Sequence, residues 1–235
     1  AIAAAMVVRT GMSEAPVGTV LITGSNRGIG LEFATQYAAK GWKVIATHRG
    51  DTVPESLKSL TDQYGSVSVE RMDVLRHEEI DALAAKLRDT PIDVLINNAG
   101  IMMPPFAKTE EGFESQMGVN YFAHFLLTGL LLPLLEKTPQ SRIVSLSSMA
   151  HKSGKIDFEN LNAEKSYSKI GAYGQSKLVC LMFAYELDRR LKKSGSQVLS
   201  VAAHPGVSNT DLGRHVSKWL YTLLAPILSL MIHSP

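Results

Sequence analysis

The feature that most constrains this 235-residue chain is an alternation. Short runs of β-branched and aliphatic residues take turns with longer amphipathic stretches. The short runs fall at residues 19–23, 43–47, 67–72, 94–97, 142–146 and 197–202. Helical patterns lie around 31–40, 78–88, 113–135 and 172–192, with a final one after Thr210. Strands that alternate with helices pair in parallel, and right-handed crossovers then force a doubly wound, open α/β sheet. Such a sheet takes its ligands at the carboxyl ends of its strands.

Length and charge narrow the reading. A chain of this size with 45% hydrophobic residues buries one core, so residues 19–235 are expected to form a single domain and residues 1–18 an extension in front of it. Lys and Arg number 24 against 22 Asp and Glu, a net charge of +2 with the basic residues scattered singly, which argues against a nucleic-acid partner. The single cysteine, Cys180, excludes an internal disulfide and fits a reducing, cytoplasmic compartment. The opening AIAAAMVVRTGM lacks the basic start and sustained apolar core of a signal peptide. Residues 219–232 read WLYTLLAPILSLMI, broken by Pro226 and shorter than the roughly 20 residues a bilayer span needs. Residues 207–235 are therefore expected to be a lid over a substrate pocket, with peripheral membrane contact through the apolar stretch as the other reading.

After the first strand comes Thr23-Gly24-Ser25-Asn26-Arg27-Gly28-Ile29-Gly30, a glycine-rich turn that opens directly onto a helix. Glycines let the backbone approach a pyrophosphate, and the free amides at the helix start point at its charge. The second strand ends at Thr47-His48-Arg49, where a dinucleotide's adenosine ribose should lie. A carboxylate there would bind the 2′-hydroxyl, whereas Arg49, helped by Arg27 from the glycine turn, accommodates a 2′-phosphate. NADP(H) is thus favoured over NAD(H). Asp51 lies two positions further on and is expected to cap the loop.

Tyr173 and Lys177 stand four residues apart, on one face of a helix. A free phenol has a pKa of about 10, and a neighbouring cation stabilises the phenolate, so the pair is a candidate general acid and base. Asn97-Asn98-Ala99-Gly100 ends the fourth strand in small residues that would let a nicotinamide ribose approach. Ser147 and Ser148 place hydroxyls at the end of the fifth, and Asn120 is a polar residue among apolar neighbours. The sixth strand runs into HPGVSNT at 204–210. Metal chemistry finds no support, since the seven histidines are dispersed and no HExxH occurs.

Taken together, TGSNRGIG, NNAG, the Asn120 helix, the serine pair, YGQSK and HPGVSNT occur in an order that resembles the classical short-chain dehydrogenase/reductase family, over residues 19 to about 218. The resemblance implies a Rossmann-type fold and a catalytic set of Asn120, Ser148, Tyr173 and Lys177. It also implies dinucleotide contacts from Gly24 to Gly30, Arg49, Asp73 and Val74 at the adenine, Asn98, Ala99 and Gly100. Tyr173, Lys177, Pro205, Gly206, Val207 and Thr210 would complete them around the nicotinamide. The reaction implied is reversible carbonyl reduction: NADPH gives hydride, Tyr173 gives a proton and Ser148 orients the oxygen. Lys177 lowers the tyrosine pKa and holds the ribose, while Asn120 ties a relay water. Tyr173 follows Ser148 by 25 residues, more than the family's usual interval. The extra segment 152–169, MMPPF at 102–106 and HPGVSNTDLGRH at 204–215 resemble retinol-dehydrogenase-like members, which implies an apolar aldehyde, ketone or alcohol as substrate. The family's last helix and seventh, edge strand are not evident before Pro235, which leaves a homo-oligomer an open matter. A double-bond reductase or epimerase on the same Tyr-Lys pair, and an NADP(H)-binding sensor without turnover, are the alternatives.

Overall fold

The computed structural model describes residues 17–205. Six parallel strands, β1 (Thr19–Ile22), β2 (Lys43–His48), β3 (Val67–Arg71), β4 (Val94–Asn97), β5 (Arg142–Leu146) and β6 (Leu199–Ala203), form one sheet in the order β3-β2-β1-β4-β5-β6. The helices are α1 (Gly28–Ala39), α2 (Glu55–Gln63), α3 (His77–Lys86), α4 (Ser115–Met117), α5 (Ala123–Leu135) and α6 (Lys169–Ser194). A π-helical turn, Gly118–Phe122, joins α4 to α5, and a 3-10 turn, Met149–Ser153, follows β5. The Rossmann-type sheet expected from the alternation is present, each strand ending within two residues of its expected bounds.

Side-chain alternation along the strands builds a core on each face. Leu21, Ile45, Leu95 and Ile143 point one way, onto Ile80 and Leu83 of α3 and Leu127, Leu131 and Leu135 of α5. Val20, Ile22, Val44, Ala46 and Ile96 point the other way, onto Ala34 and Ala38 of α1 and Leu57 and Leu60 of α2. Burying each such leucine or isoleucine contributes about 1.5–3 kcal/mol, so the sheet is a firm platform for the loops at its end. The run Ser115–Leu135 has the length and hydropathy of a membrane span, but its His124, Leu127, Thr128, Leu131 and Leu135 are buried in this core.

One helix is a correction to the sequence reading. The hydrophobic pattern passes over α2, because only Leu57 and Leu60 of its nine residues are buried and the apolar stripe lasts a single turn. Pro54 immediately before it and Glu55 in its first turn were the available signals. The helix expected after Thr210 and the lid expected at 207–235 lie outside the described residues.

The topology fixes where a ligand goes. From β1 the chain winds outward to β2 and β3, then returns through α3 to place β4 on the other side of β1. The turns leaving β1 and β4 start side by side and lead to helices on opposite faces of the sheet, and the crevice above them is its switch point.

Candidate active site

The crevice is lined by Gly24, Arg27, Gly30, Arg49, Asp73 and Asn98, among others. Its floor is the glycine turn. Gly24 adopts φ 67°, and a Cβ on it would press on Ala99, so the turn after β1 and the turn after β4 lie backbone to backbone. A Cβ on Gly30 would collide with the Gly24 carbonyl oxygen and the Asn98 side-chain amide, so only glycine fits there. Ser25 closes the turn, its hydroxyl donating to the Ile22 carbonyl at 2.8 Å and its N–H to Thr47 at 2.8 Å. Arg27 precedes helix α1 and makes no side-chain cap, and the first amides of a helix have no intrahelical acceptor. Together these give a backbone cradle with an open, positively polarised end, which suits a pyrophosphate.

At the end of β2, His48 is buried with its Nδ1 unpartnered, and burial, reinforced by Arg71, holds its pKa below the ordinary value. His48 is therefore neutral, and Arg27 and Arg49 supply the charge on this side of the crevice. Asp51 does not cap the loop as expected. Its carboxylate lies 3.1 Å from the Arg71 guanidinium, and Arg71 also bonds Glu79 at 2.6 Å. The acid closest in sequence to Arg49 is thus engaged by a residue of β3. Asp73 lines the crevice too, and one of its oxygens accepts from the Leu75 N–H at 3.0 Å.

Thr23 is the hub of the next part, and the motif reading missed its role. Its hydroxyl oxygen accepts from the N–H groups of Asn98 at 2.9 Å and Ala99 at 2.8 Å. It also lies 2.9 Å from His124 Nε2. His124 Nδ1 faces the Asn120 carbonyl at 3.1 Å, and a carbonyl only accepts, so Nδ1 carries the proton and Nε2 accepts from Thr23. Burial, followed by the Lys177 charge, depresses the His124 pKa to about 4, so this neutral tautomer persists at ordinary pH. The spacing of Asn120 and His124, four apart on one helix, was the signal that could have paired them.

Asn120 sits inside the π-helical turn. Its side-chain oxygen accepts from the Ile101 N–H at 2.9 Å, and its amide donates to the Ile101 carbonyl at 3.1 Å and to the Ser176 hydroxyl at 2.9 Å. Its own carbonyl accepts from His124 and, at 3.1 Å, from the Cys180 thiol. The backbone carbonyl thus has both lone pairs taken, while the side-chain oxygen accepts one bond and keeps a second lone pair.

The two serines after β5 divide their work. Ser147 is buried and donates to the Lys177 carbonyl at 2.8 Å, tying β5 to α6. Ser148 caps the following 3-10 turn, accepting from the Ala150 N–H at 3.3 Å, and its side chain lies close enough to Tyr173 to favour the phenolate. Lys177, on the same helix, is buried and donates to the Leu146 carbonyl at 2.9 Å, with its ammonium 5.9 Å from the centre of the Tyr173 ring. Burial raises the Tyr173 pKa, and the nearby Ser148 side chain opposes that only in part. The cation was expected to lower it, but removal of the phenol from water outweighs its neighbours in the folded chain.

The structure therefore brings Ser148, Tyr173 and Lys177 together beside Gly100 and Asn120, at the mouth of a crevice shaped for a dinucleotide. The short chain dehydrogenase family profile matches residues 18–220. The chain belongs to that family. Within the short-chain dehydrogenases it is 42% identical over 231 residues to human retinol dehydrogenase 13, covering 94% of this chain and 69% of that protein. Human retinol dehydrogenase 11 is 41% identical over 226 residues, covering 93% and 70%. Among solved structures, an uncharacterised protein from Mycobacterium paratuberculosis superposes with a TM-score of 0.75 at 40% identity, covering 88% of this chain and 76% of that one. The NADPH-bound carbonyl reductase from chicken fatty liver superposes with a TM-score of 0.67 at 28% identity, covering 85% and 80%. Of the family's site positions, Pro205 ends the described residues, and Gly206, Val207 and Thr210 lie outside them.

Proposed function

We propose that this short-chain dehydrogenase is an NADP(H)-dependent oxidoreductase that interconverts an apolar aldehyde or ketone and its alcohol, with Tyr173 as proton donor and acceptor. The observation that carries the reading is the buried pair Tyr173 and Lys177 on α6, the ammonium 5.9 Å from the centre of the phenol ring, with Ser148 close enough to the phenol to favour its ionised form. The glycine cradle, closed to any Cβ at Gly30, fits a dinucleotide pyrophosphate, and Arg27 and Arg49 fit a 2′-phosphate better than a bare ribose. When bound, the nicotinamide supplies the hydride.

The residues supply the rest. Ser148 donates a hydrogen bond to the substrate oxygen and holds it against the Tyr173 hydroxyl. Tyr173, kept protonated by its burial, gives its proton to that oxygen as negative charge develops on it. The Lys177 ammonium spends one N–H on Leu146 and has two more for ribose hydroxyls, while its charge steadies the phenolate that remains. Asn120 holds the loop that starts at Ile101, and the remaining lone pair of its side-chain oxygen is free to tie the relay water.

The names of the relatives support the substrate class: two retinol dehydrogenases, and a carbonyl reductase solved with NADPH. The test is oxidation of NADPH and NADH, followed by loss of absorbance, with short and long apolar aldehydes and ketones including retinal. Turnover with NADPH preferred is expected. Binding of a dinucleotide with no turnover on any substrate would contradict the reading.

A further inference from the structure

The loop that follows NNAG is fastened to the protein at three nearly consecutive residues. Ile101 is held by both ends of the Asn120 amide. Met103 donates its N–H to the Gln116 side-chain oxygen at 2.9 Å. Pro104 accepts at its carbonyl from the Tyr167 hydroxyl at 2.8 Å. Met103 also adopts φ 52°, a left-handed conformation that a residue with a side chain rarely takes and that persists where neighbours hold it.

Gln116 is the joint of this fastening. It is wholly buried, and its amide donates to the Tyr167 hydroxyl at 3.1 Å and to the Lys169 carbonyl at 3.2 Å. A buried glutamine is tolerated when its polar atoms find partners, and Gln116 makes three bonds that join two separate segments. Those segments are the loop after β4 and the stretch from Tyr167 to Lys169, which ends the extra segment 152–169 and opens α6, whose next turn carries Tyr173. Tyr167 adds a ring contact with Phe106 at 5.2 Å. The loop begins beside the reaction centre, since a Cβ on Gly100 would stand 3.7 Å from the Lys177 ammonium. It carries the half-buried Met102 and Met103, which are flexible, polarisable side chains suited to an irregular apolar ligand.

From these contacts we infer that Gln116 and Tyr167 are positioning residues that hold residues 101–104 as a fixed wall of the substrate pocket and so set the fit of bulky apolar substrates. This rests on the carbonyl reaction proposed above. Neither residue touches the reacting atoms; they act through the loop.

The experiment compares wild type, Gln116→Met and Tyr167→Phe with retinal and with butanal as substrates, and follows amide hydrogen exchange across 101–106 in the same proteins. The second variant removes one hydroxyl and keeps the ring, so it guards against a fold lost in the first. Expected are a KM for retinal raised at least about tenfold with kcat within about threefold, a KM for butanal within about twofold, and faster exchange at 101–106. Equal changes for both aldehydes, or an unchanged KM for retinal despite faster exchange, would overturn the inference. Should wild type turn over neither aldehyde, the carbonyl reaction itself fails. Exchange at 101–106 then decides the fastening alone, and unchanged exchange in both variants overturns it.

Discussion

Lys177 donates a hydrogen bond to the carbonyl oxygen of Leu146, the last residue of β5, at 2.9 Å. An ammonium this deeply buried costs free energy, and burial accordingly lowers its pKa. Replacing a buried charge by an apolar side chain of similar length removes that cost while leaving one carbonyl unpaired, two effects of about 1–3 kcal/mol in opposite directions. Lys177→Met is therefore expected to keep its thermal midpoint within a few degrees of wild type while turnover falls at least about 100-fold. Calorimetry beside steady-state kinetics checks this, and a large loss of stability would mean that the lysine serves the fold.

Arg49 faces the crevice with Arg27, while the nearby acid Asp51 is engaged by Arg71. A charge-assisted bond to a phosphate is worth about 1.5–3 kcal/mol, or roughly 10- to 100-fold in affinity. Arg49→Asp is expected to weaken NADPH by that factor and to improve NADH relative to it. Dissociation constants for the two dinucleotides, measured by quenching of protein fluorescence, would show it; unchanged selectivity would mean that Arg49 does not read the phosphate.

His124 ties the Thr23 hub to the π-helical turn and is neutral when folded. Burial takes its pKa from the ordinary 6.5 to about 4, so the unfolded chain binds the extra proton first as pH falls. Stability from this group is complete above about pH 6.5 and is lost as pH falls towards 4, by about 3 kcal/mol at about 1.4 kcal/mol per unit. Urea midpoints at pH 7 and pH 4.5 should differ by less in His124→Asn than in wild type. An equal difference in the two proteins would place the acid sensitivity elsewhere.

The sheet was legible because β1, β2, β4 and β5 are short apolar runs with no competing period, and the glycine turn because its residues sit between a strand and a helix. What escaped was whatever depends on distant partners. Asp51 looked like a loop cap until β3 brought Arg71 beside it. The i, i+4 spacing predicted the meeting of Tyr173 and Lys177 but not the depth at which they meet, where burial raises the phenol pKa. Helix α2 was too short for its period to show, and the roles of Thr23, His124 and Gln116 exist only through contacts made across the fold.

The central claim is that Tyr173 is the proton donor, and Tyr173→Phe tests it most directly, with NADPH dissociation constant and aldehyde turnover measured on the same sample. The account predicts at least about a 100-fold loss of turnover with NADPH affinity kept within a few-fold. Turnover close to wild type in that variant would contradict it.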